Sequence, residues 1–383
     1  MKKGAVIFLG IFLVLSLNAL PKKQPQDDLW KLRLLSWNPN SLLVMTRNIY
    51  VGGDVDRVIE EQDPNQVPVR VAQTFAEVMS TDFNYRAEAL ADEIEKTRPH
   101  LIGLQEVSLV RYQSPSNFML GTRYPDATDV LYDYLKILTT ALKNRGLKYY
   151  VAGKIQNADV EVPMMVDFNP PYAFDDVRLT DFDVVLARKD VVTDNVVQKN
   201  YAALIYSPPI IITRGYVALD ATVGHKTYRF VNTHLEPADP GIQASQAAEL
   251  IADLESETLP VVLVGDLNTP APTGATYQTL VFNGYVDAWT RNLVRPKIPG
   301  YTSGHASDLR NATVDLDERI DLIMIKTRWS ANGLPLIGPV FAYVVGDELE
   351  DRLLFPPDGS LIWPSDHAGV VALLHIPILA RGR

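Results

Sequence analysis

Side chains able to do chemistry recur in this chain at the ends of short apolar runs. Leu259-Pro260-Val261-Val262-Leu263-Val264 leads into Gly265-Asp266-Leu267-Asn268, so a β-branched run delivers a carboxylate and an amide to one place. Tyr228-Arg229-Phe230-Val231-Asn232-Thr233-His234 ends in an imidazole, and Leu101-Ile102-Gly103-Leu104-Gln105-Glu106 ends in a carboxylate. Arg319-Ile320-Asp321 opens the run Leu322-Ile323-Met324-Ile325, and Ser365-Asp366-His367 immediately precedes Ala368-Gly369-Val370-Val371. Carboxylates, amides and imidazoles in a chain without Cys suit a hard cation, Mg²⁺ first and Mn²⁺ or Ca²⁺ as alternatives, better than thiolate-bound zinc. The same groups suit general acid–base work.

Elements must carry these groups to one edge. Ser41 to Tyr50 reads as the first strand, with Asn48 near its end and the Gly52-Gly53-Asp54 turn after it. Arg86 to Thr97 places Ala87, Leu90, Ala91 and Ile94 on one helical stripe, and Asp129 to Arg145 does the same with Leu131, Leu135, Leu138 and Leu142. Gln243 to Glu257 reads as a further helix, while Tyr216 to Ala221 and Tyr228 to Thr233 read as a hairpin. Phe182 to Ala187 and Ala202 to Tyr206 have strand character. Gln113 to Asp181, with Pro163, Pro170 and Pro171 among acidic residues, reads as the least regular part of the chain. Its Phe118, Met119, Leu120, Tyr124, Met164, Met165, Phe168, Tyr172 and Phe174 predict a lid on the core, with an apolar lip for a lipid headgroup as the other reading.

Strands alternating with helices predict an α/β protein with mixed sheets, and polar strand ends spread along the whole length favour one domain over 41–383. A hydrophobic content of 47% with 21% charged residues is that of a soluble globular protein with ample core. Met1-Lys2-Lys3-Gly4 and the apolar stretch Ala5 to Leu20 read as a signal peptide or N-terminal anchor over 1–20, followed by a linker over 21–40, so export is expected. The net charge is −10, and without Lys2 and Lys3 the 34 remaining basic residues against 46 acidic ones give −12. With no dense Lys/Arg run, the balance argues against a nonspecific nucleic-acid binder.

Taken singly, each site residue has a plainer reading: Glu106 a solvated strand end, His234 a hydrogen-bonded core histidine, Asp266 and Asn268 a helix-capping turn, Asp321 an ion pair with Arg319, Ser365-Asp366-His367 a loop. The order of all of them is what matters. Asn48, Gln105-Glu106, Asn232-Thr233-His234, Gly265-Asp266-Leu267-Asn268, Arg319-Ile320-Asp321 and Ser365-Asp366-His367 resemble, in type and sequence, the motifs of the endonuclease/exonuclease/phosphatase superfamily. The resemblance covers most of the chain after the leader. It implies the DNase I-like four-layer sandwich, two packed mixed β-sheets flanked by helices, with the site where loops of both sheets meet.

By that resemblance Glu106 is the principal metal ligand, supported by Asp366 and Asn48. Asp266 orients or deprotonates the attacking water, Asn268 holds a phosphate oxygen, His367 contacts the phosphate with Asp321 as its orienter, and His234 contacts the phosphate or protonates the leaving oxygen. The implied activity is metal-dependent phosphodiester hydrolysis, on extracellular nucleic acid or on a phospholipid as in sphingomyelinases, with membrane-surface contact as a further expectation and no obligate protein partner. A phosphomonoesterase of the inositol-phosphatase type and an inactive binding module of the same fold are the alternatives; the first lacks a Lys/Arg cluster and the second is at odds with retention of every site residue. Arg188, Asn157 and Asp159 are secondary candidates for phosphate or metal contact, with surface and turn roles preferred.

Overall fold

Runs that are apolar at nearly every position imply strands covered on both faces, and the molecule is built on such strands. The computed structural model describes residues 29–36, 38, 41–122, 124–208, 210–294, 298–327 and 335–377. The first half contains α1 (Leu29–Leu35), β1 (Leu42–Asn48), α2 (Asp56–Ile59), α3 (Val67–Thr81), α4 (Phe83–Thr97), β2 (Leu101–Gln105), β3 (Leu109–Gln113), β4 (Asp129–Asp133) and α5 (Tyr134–Asn144). Then come β5 (Tyr149–Asp167), β6 (Ala173–Arg188), β7 (Val192–Asn200), β8 (Ile205–Ser207), β9 (Ile210–Ile212), β10 (Gly215–Val223), β11 (Lys226–His234) and α6 (Pro240–Asp253). The remainder holds β12 (Val261–Asp266), α7 (Ala275–Phe282), β13 (Val286–Asp287), β14 (Asp321–Lys326), β15 (Val340–Val345), β16 (Leu353–Phe355), β17 (Ser360–Ile362) and β18 (Gly369–Leu374).

Among the described residues, one sheet runs β15-β18-β1-β2-β6-β5-β9-β8 with β3 and β4 beside β6, and the second runs β13-β14-β12-β11-β10-β7. Both are mixed, since β1 pairs parallel with β2 and β11 parallel with β12 while their other neighbours are antiparallel. Alternate residues of a strand face opposite ways. On β1, Leu42 and Val44 enter the core between the sheets, with Val217, Phe230, Val262 and Ile323 opposite, whereas Leu43 and Met45 meet Ala87, Leu90 and Ile94 of α4. On the outer face of the second sheet, Val231, Leu263 and Met324 meet Ala247 and Leu250 of α6 and Leu280 of α7. The layers are therefore helix, sheet, sheet, helix, the four-layer sandwich anticipated above.

The interface between the sheets is not wholly apolar. Gln105 Nε2 donates to Asn232 Oδ1 at 2.7 Å, and Asn232 Nδ2 donates to the carbonyls of Leu104 (3.0 Å) and Val184 (3.2 Å). Every partner is buried, so these bonds avoid a desolvation penalty and fix how the sheets sit on each other. Gly103 makes room for them, because a Cβ there would strike the Asn232 amide and Val264.

Four expectations need correction. Gln113 to Asp181 is not the irregular part: β5 and β6 form a hairpin of 19- and 16-residue strands through its second half. Its three register shifts accommodate the interrupted alternation that obscured it in the sequence. The proposed helix over Asp129 to Arg145 begins as strand β4, and turns helical only where Asp133 caps it by accepting from Lys136 N. Within the stretch read as a linker over 21–40, Leu29–Leu35 is helical and buries Leu29 and Leu32 in the cluster around α4. Ala202 to Tyr206 is strand only at its end, in β8. The basic head and apolar stretch over 1–20 lie outside the described residues, among which no helix is long and apolar enough to cross a membrane.

Candidate active site

Adjacent strand ends bring the site residues together. In the second sheet His234 lies opposite Asp266 across the parallel pair β11–β12, and Asp266 lies opposite Asp321 across the antiparallel pair β12–β14. Cross-strand partners share a face, so imidazole and both carboxylates form one row. Gly265, just before the middle member, has φ +153 and would place any Cβ against the carbonyl of Thr233, so the row closes only around glycine. In the first sheet Asn48 pairs with Gln105, the residue before Glu106, and β18 begins just after Asp366 and His367.

The side chains interlock across the two sheets. Asn48 Nδ2 donates to Glu106 Oε1 (2.8 Å) and Asp266 Oδ2 (3.1 Å), while its oxygen accepts the Tyr50 N–H at 2.9 Å. With its nitrogen turned to both carboxylates, this amide braces them. Glu106 Oε2 accepts the Val51 N–H at 2.7 Å. His367 Nδ1 lies 2.8 Å from Asp321 Oδ2 and 3.8 Å from Asp266 Oδ2, and His234 Nε2 lies 3.6 Å from that same Asp266 oxygen. Asp266 Oδ1 accepts Asn268 N–H at 3.0 Å, and Asn268 Nδ2 donates to the Leu235 carbonyl at 2.8 Å. Tyr50, Glu106 and Asn268 all have left-handed backbones, with φ of 60, 58 and 47. For the first two this conformation costs on the order of 1–2 kcal/mol each, a strain typical of functional loops.

Burial gives the titratable groups distinct states. It pushes Glu106 up to about 7, helped by the Asp366 charge and opposed by His367 and the Asn48 amide. Asp266 rises to about 6 through burial and the neighbouring Asp321, and Asp366 is also raised by burial. For His367 burial alone would lower the pKa, but Asp321, Asp366 and Asp266 outweigh it and hold the ring charged well above its usual range. His234 goes the other way, lowered by burial, by Arg214 and by the charged His367. Arg214 Nη1 is 3.1 Å from His234 Nδ1, and a guanidinium only donates, so Nδ1 accepts and the proton of the neutral ring sits on Nε2, facing Asp266. One imidazole is a cation and the other a neutral donor.

Glu106, Asp366 and Asn268 are only partly buried in an otherwise fully buried group, so solvent reaches the cluster from their side. A pair of carboxylates there, one raising the other's pKa, is a donor set that a hard cation would satisfy. Asp266, Asp321 and His367 also offer ligand atoms within 4.8 Å of one another. There, however, His367 Nδ1 is engaged by Asp321, which makes that trio an imidazolium network first. The orphaned buried atom Asp321 Oδ1 lies on it.

Several supports went unread in the sequence. Arg47, fully buried, pairs with Glu93 through Nε (3.0 Å) and Nη2 (2.9 Å) and donates from Nη1 to the carbonyls of Asn48 and His367. Arg86 donates to the carbonyls of Ile49 (2.7 Å), Tyr50 (3.1 Å) and Pro364 (3.1 Å). Each arginine thus ties the loop after β1 to the loop before β18. Ser365 Oγ adds a bond to Asn48 O at 2.9 Å. The one available signal was Arg86 itself, which stands between Phe83 and Leu90 on the apolar stripe of α4. Of the secondary candidates, Arg188 pairs with Asp190, Asp159 with Arg178 and Arg111, and Asn157 donates to Asp181; none joins the cluster. Met164 is buried, whereas Met119, Leu120, Tyr124, Phe168 and Tyr172 are exposed, so they do not form the lid expected of them.

A family model described as the Endonuclease/Exonuclease/phosphatase family matches residues 78–367. Among solved structures, an endonuclease/exonuclease/phosphatase from Beutenbergia cavernae is 20% identical with a TM-score of 0.52, over 89% of this chain and 74% of that one. A family protein from Bacteroides thetaiotaomicron is 14% identical with a TM-score of 0.51, over 88% of this chain and 96% of that one. Another, from Bacteroides vulgatus, is 15% identical with a TM-score of 0.51, over 88% and 99%. At these identities the likeness is one of fold. Among curated proteins nothing matches.

Proposed function

The chain belongs to the endonuclease/exonuclease/phosphatase family of phosphoester hydrolases, and from that premise we propose that it is an exported, divalent-metal-dependent phosphodiesterase. The observation that carries this reading is the convergence of Asn48, Glu106, His234, Asp266, Asp321 and His367, from both sheets, into one hydrogen-bonded and ion-paired cluster.

Glu106 and Asp366 would hold the cation, with Asn48 positioning Glu106. When bound, the cation neutralises charge on a phosphoryl oxygen. Asp266, with a pKa near 6, is ionised at neutral pH yet basic enough to take a proton from water. Oxygen from that water bonds to phosphorus as the bond to the ester oxygen breaks, and the departing oxygen is protonated by solvent at the open side. Charged His367, held by Asp321, donates to a phosphoryl oxygen, while neutral His234 offers its Nε2–H beside Asp266. Asn268 stands at the half-exposed rim, where an amide can meet the phosphate.

The test is hydrolysis of bis-(p-nitrophenyl) phosphate with Mg²⁺, with and without EDTA, by wild type and Glu106→Gln. EDTA should abolish activity, and Glu106→Gln should weaken Mg²⁺ binding by calorimetry and slow turnover by roughly 10²-fold or more. Full turnover in EDTA would rule the reading out.

A further inference from the structure

Beside the catalytic cluster lies a cavity of about 200 Å³ between α2 and α3 on one side and β5, β6 and β9 on the other. Its walls are chiefly β-branched and aliphatic, among them Ile59, Val160, Val177, Ile205 and Ile212. Glu106 and Arg214, the first a site carboxylate and the second the partner of His234, form part of the same lining. The cavity is thus continuous with the place where the phosphate would sit. Apolar walls left open to water at an active site, rather than filled by side chains, are the mark of a ligand's apolar part.

The lining also discriminates between occupants. A nucleobase is recognised by stacking and edge hydrogen bonds, but among the described residues the lining has one aromatic ring, Phe75, and one hydroxyl, Thr74, which already donates to the Asp54 carbonyl at 2.7 Å. Among the described lining residues, Asp56, Glu106, Asp181 and Glu236 confront one cation, Arg214. Neighbouring phosphates of a nucleic acid or of a polyphosphorylated ring would meet like charge there.

Resting on the phosphodiesterase reading, we propose that the substrate is a monomeric phosphodiester with a linear apolar chain as one ester arm, and that this cavity receives the chain. Arg214 marks the boundary between the charged and apolar halves of the bound molecule. The cavity therefore sets specificity, and the Glu106 cluster performs the cleavage.

The experiment uses p-nitrophenyl phosphodiesters whose second arm is methyl, butyl or octyl, assayed below micelle formation on the full chain. In wild type, kcat/KM should rise with each added methylene by up to about fourfold until the cavity is filled. Ile212→Trp, at the half-buried wall, should flatten that rise while leaving the methyl diester unchanged, and Val177→Phe serves as a second, independent block. Binding of octyl phosphate against methyl phosphate by calorimetry reads the cavity without catalysis, so a chain-length preference there with no hydrolysis would sink the phosphodiesterase reading alone. Equal kcat/KM for the three diesters, or a chain-length effect untouched by both blocking variants, would overturn the proposal, as would a cavity occupied by another part of the chain. A preference for dinucleotides over the octyl diester would do the same.

Discussion

Replacing Asp321 by Asn isolates the charge that holds His367 in its cationic form. The substitution keeps size and leaves an oxygen able to accept from Nδ1, 2.8 Å away, so geometry survives while the ion pair becomes a neutral hydrogen bond. Hydrogen bonds to charged partners are worth roughly 1.5–3 kcal/mol net against about 1 kcal/mol for neutral ones. The loss of about 1–2 kcal/mol corresponds to a fall in kcat/KM of roughly 5- to 30-fold. His367 is the largest loser, since Asp321 leads the acidic neighbours that raise its pKa. The assay is diester hydrolysis by wild type, Asp321→Asn, His367→Ala and the double variant, with Mg²⁺ affinity by calorimetry and the imidazole followed by NMR titration. If Asp321 acts through His367, its substitution costs less than about twofold once His367 is gone, Mg²⁺ affinity holds, and the His367 pKa falls. An equal penalty in both backgrounds, or a collapse of Mg²⁺ affinity, would refute the reasoning and make the Asp266, Asp321 and His367 trio a metal site.

Removing Arg47 as Arg47→Met strands the buried Glu93 carboxylate and should lower stability by about 3–5 kcal/mol; adding Glu93→Gln should recover part of it, read as urea midpoints. No recovery in the double variant would mean that the bonds to the Asn48 and His367 carbonyls dominate instead. His100 accepts the Leu43 N–H through Nδ1 at 2.9 Å, and burial holds its pKa down to about 4 from 6.5. A depressed histidine pKa means the unfolded chain binds the proton first, so its contribution is full above pH 6.5 and is lost as pH falls towards 4, by roughly 3 kcal/mol in all. Unfolding midpoints across that interval should slope less in His100→Gln than in wild type, and an identical slope would show that other groups, His305 among them, carry the loss.

The strand ends were legible because a buried strand leaves a plain signature: an unbroken apolar run, then the polar residue it delivers. That is why His234, Asp266 and Asp321 stand out by residue type as strand ends, whereas the four-layer sandwich is legible only through the family resemblance that their order carries. The hairpin of β5 and β6 was not legible, since its bulges interrupt the alternation and charges such as Glu161, Asp176 and Asp183 are buried within it. Buried arginines were missed for a related reason. Arg47 sits inside an apolar strand, where its guanidinium joins α4 to the loop before β18, segments far apart in the chain, and no local pattern encodes that reach. The placement of the Glu106 carboxylate and the tautomer of His234 depend on partners supplied by the fold, Val51 for one and Arg214 for the other.

The row of His234, Asp266 and Asp321 is spaced by main-chain ladders, and its pitch is that of neighbouring strands, about 4.8 Å. Such a comb has teeth that cannot drift independently. Exposed residues at the edge of the neighbouring cavity, such as Pro237 and Ala238, can therefore be exchanged to suit a new ligand without moving the teeth. A single residue inserted into Val261–Val264 would instead turn Asp266 towards the opposite face, so redesign of this enzyme has wide latitude at its rim and none inside the weave.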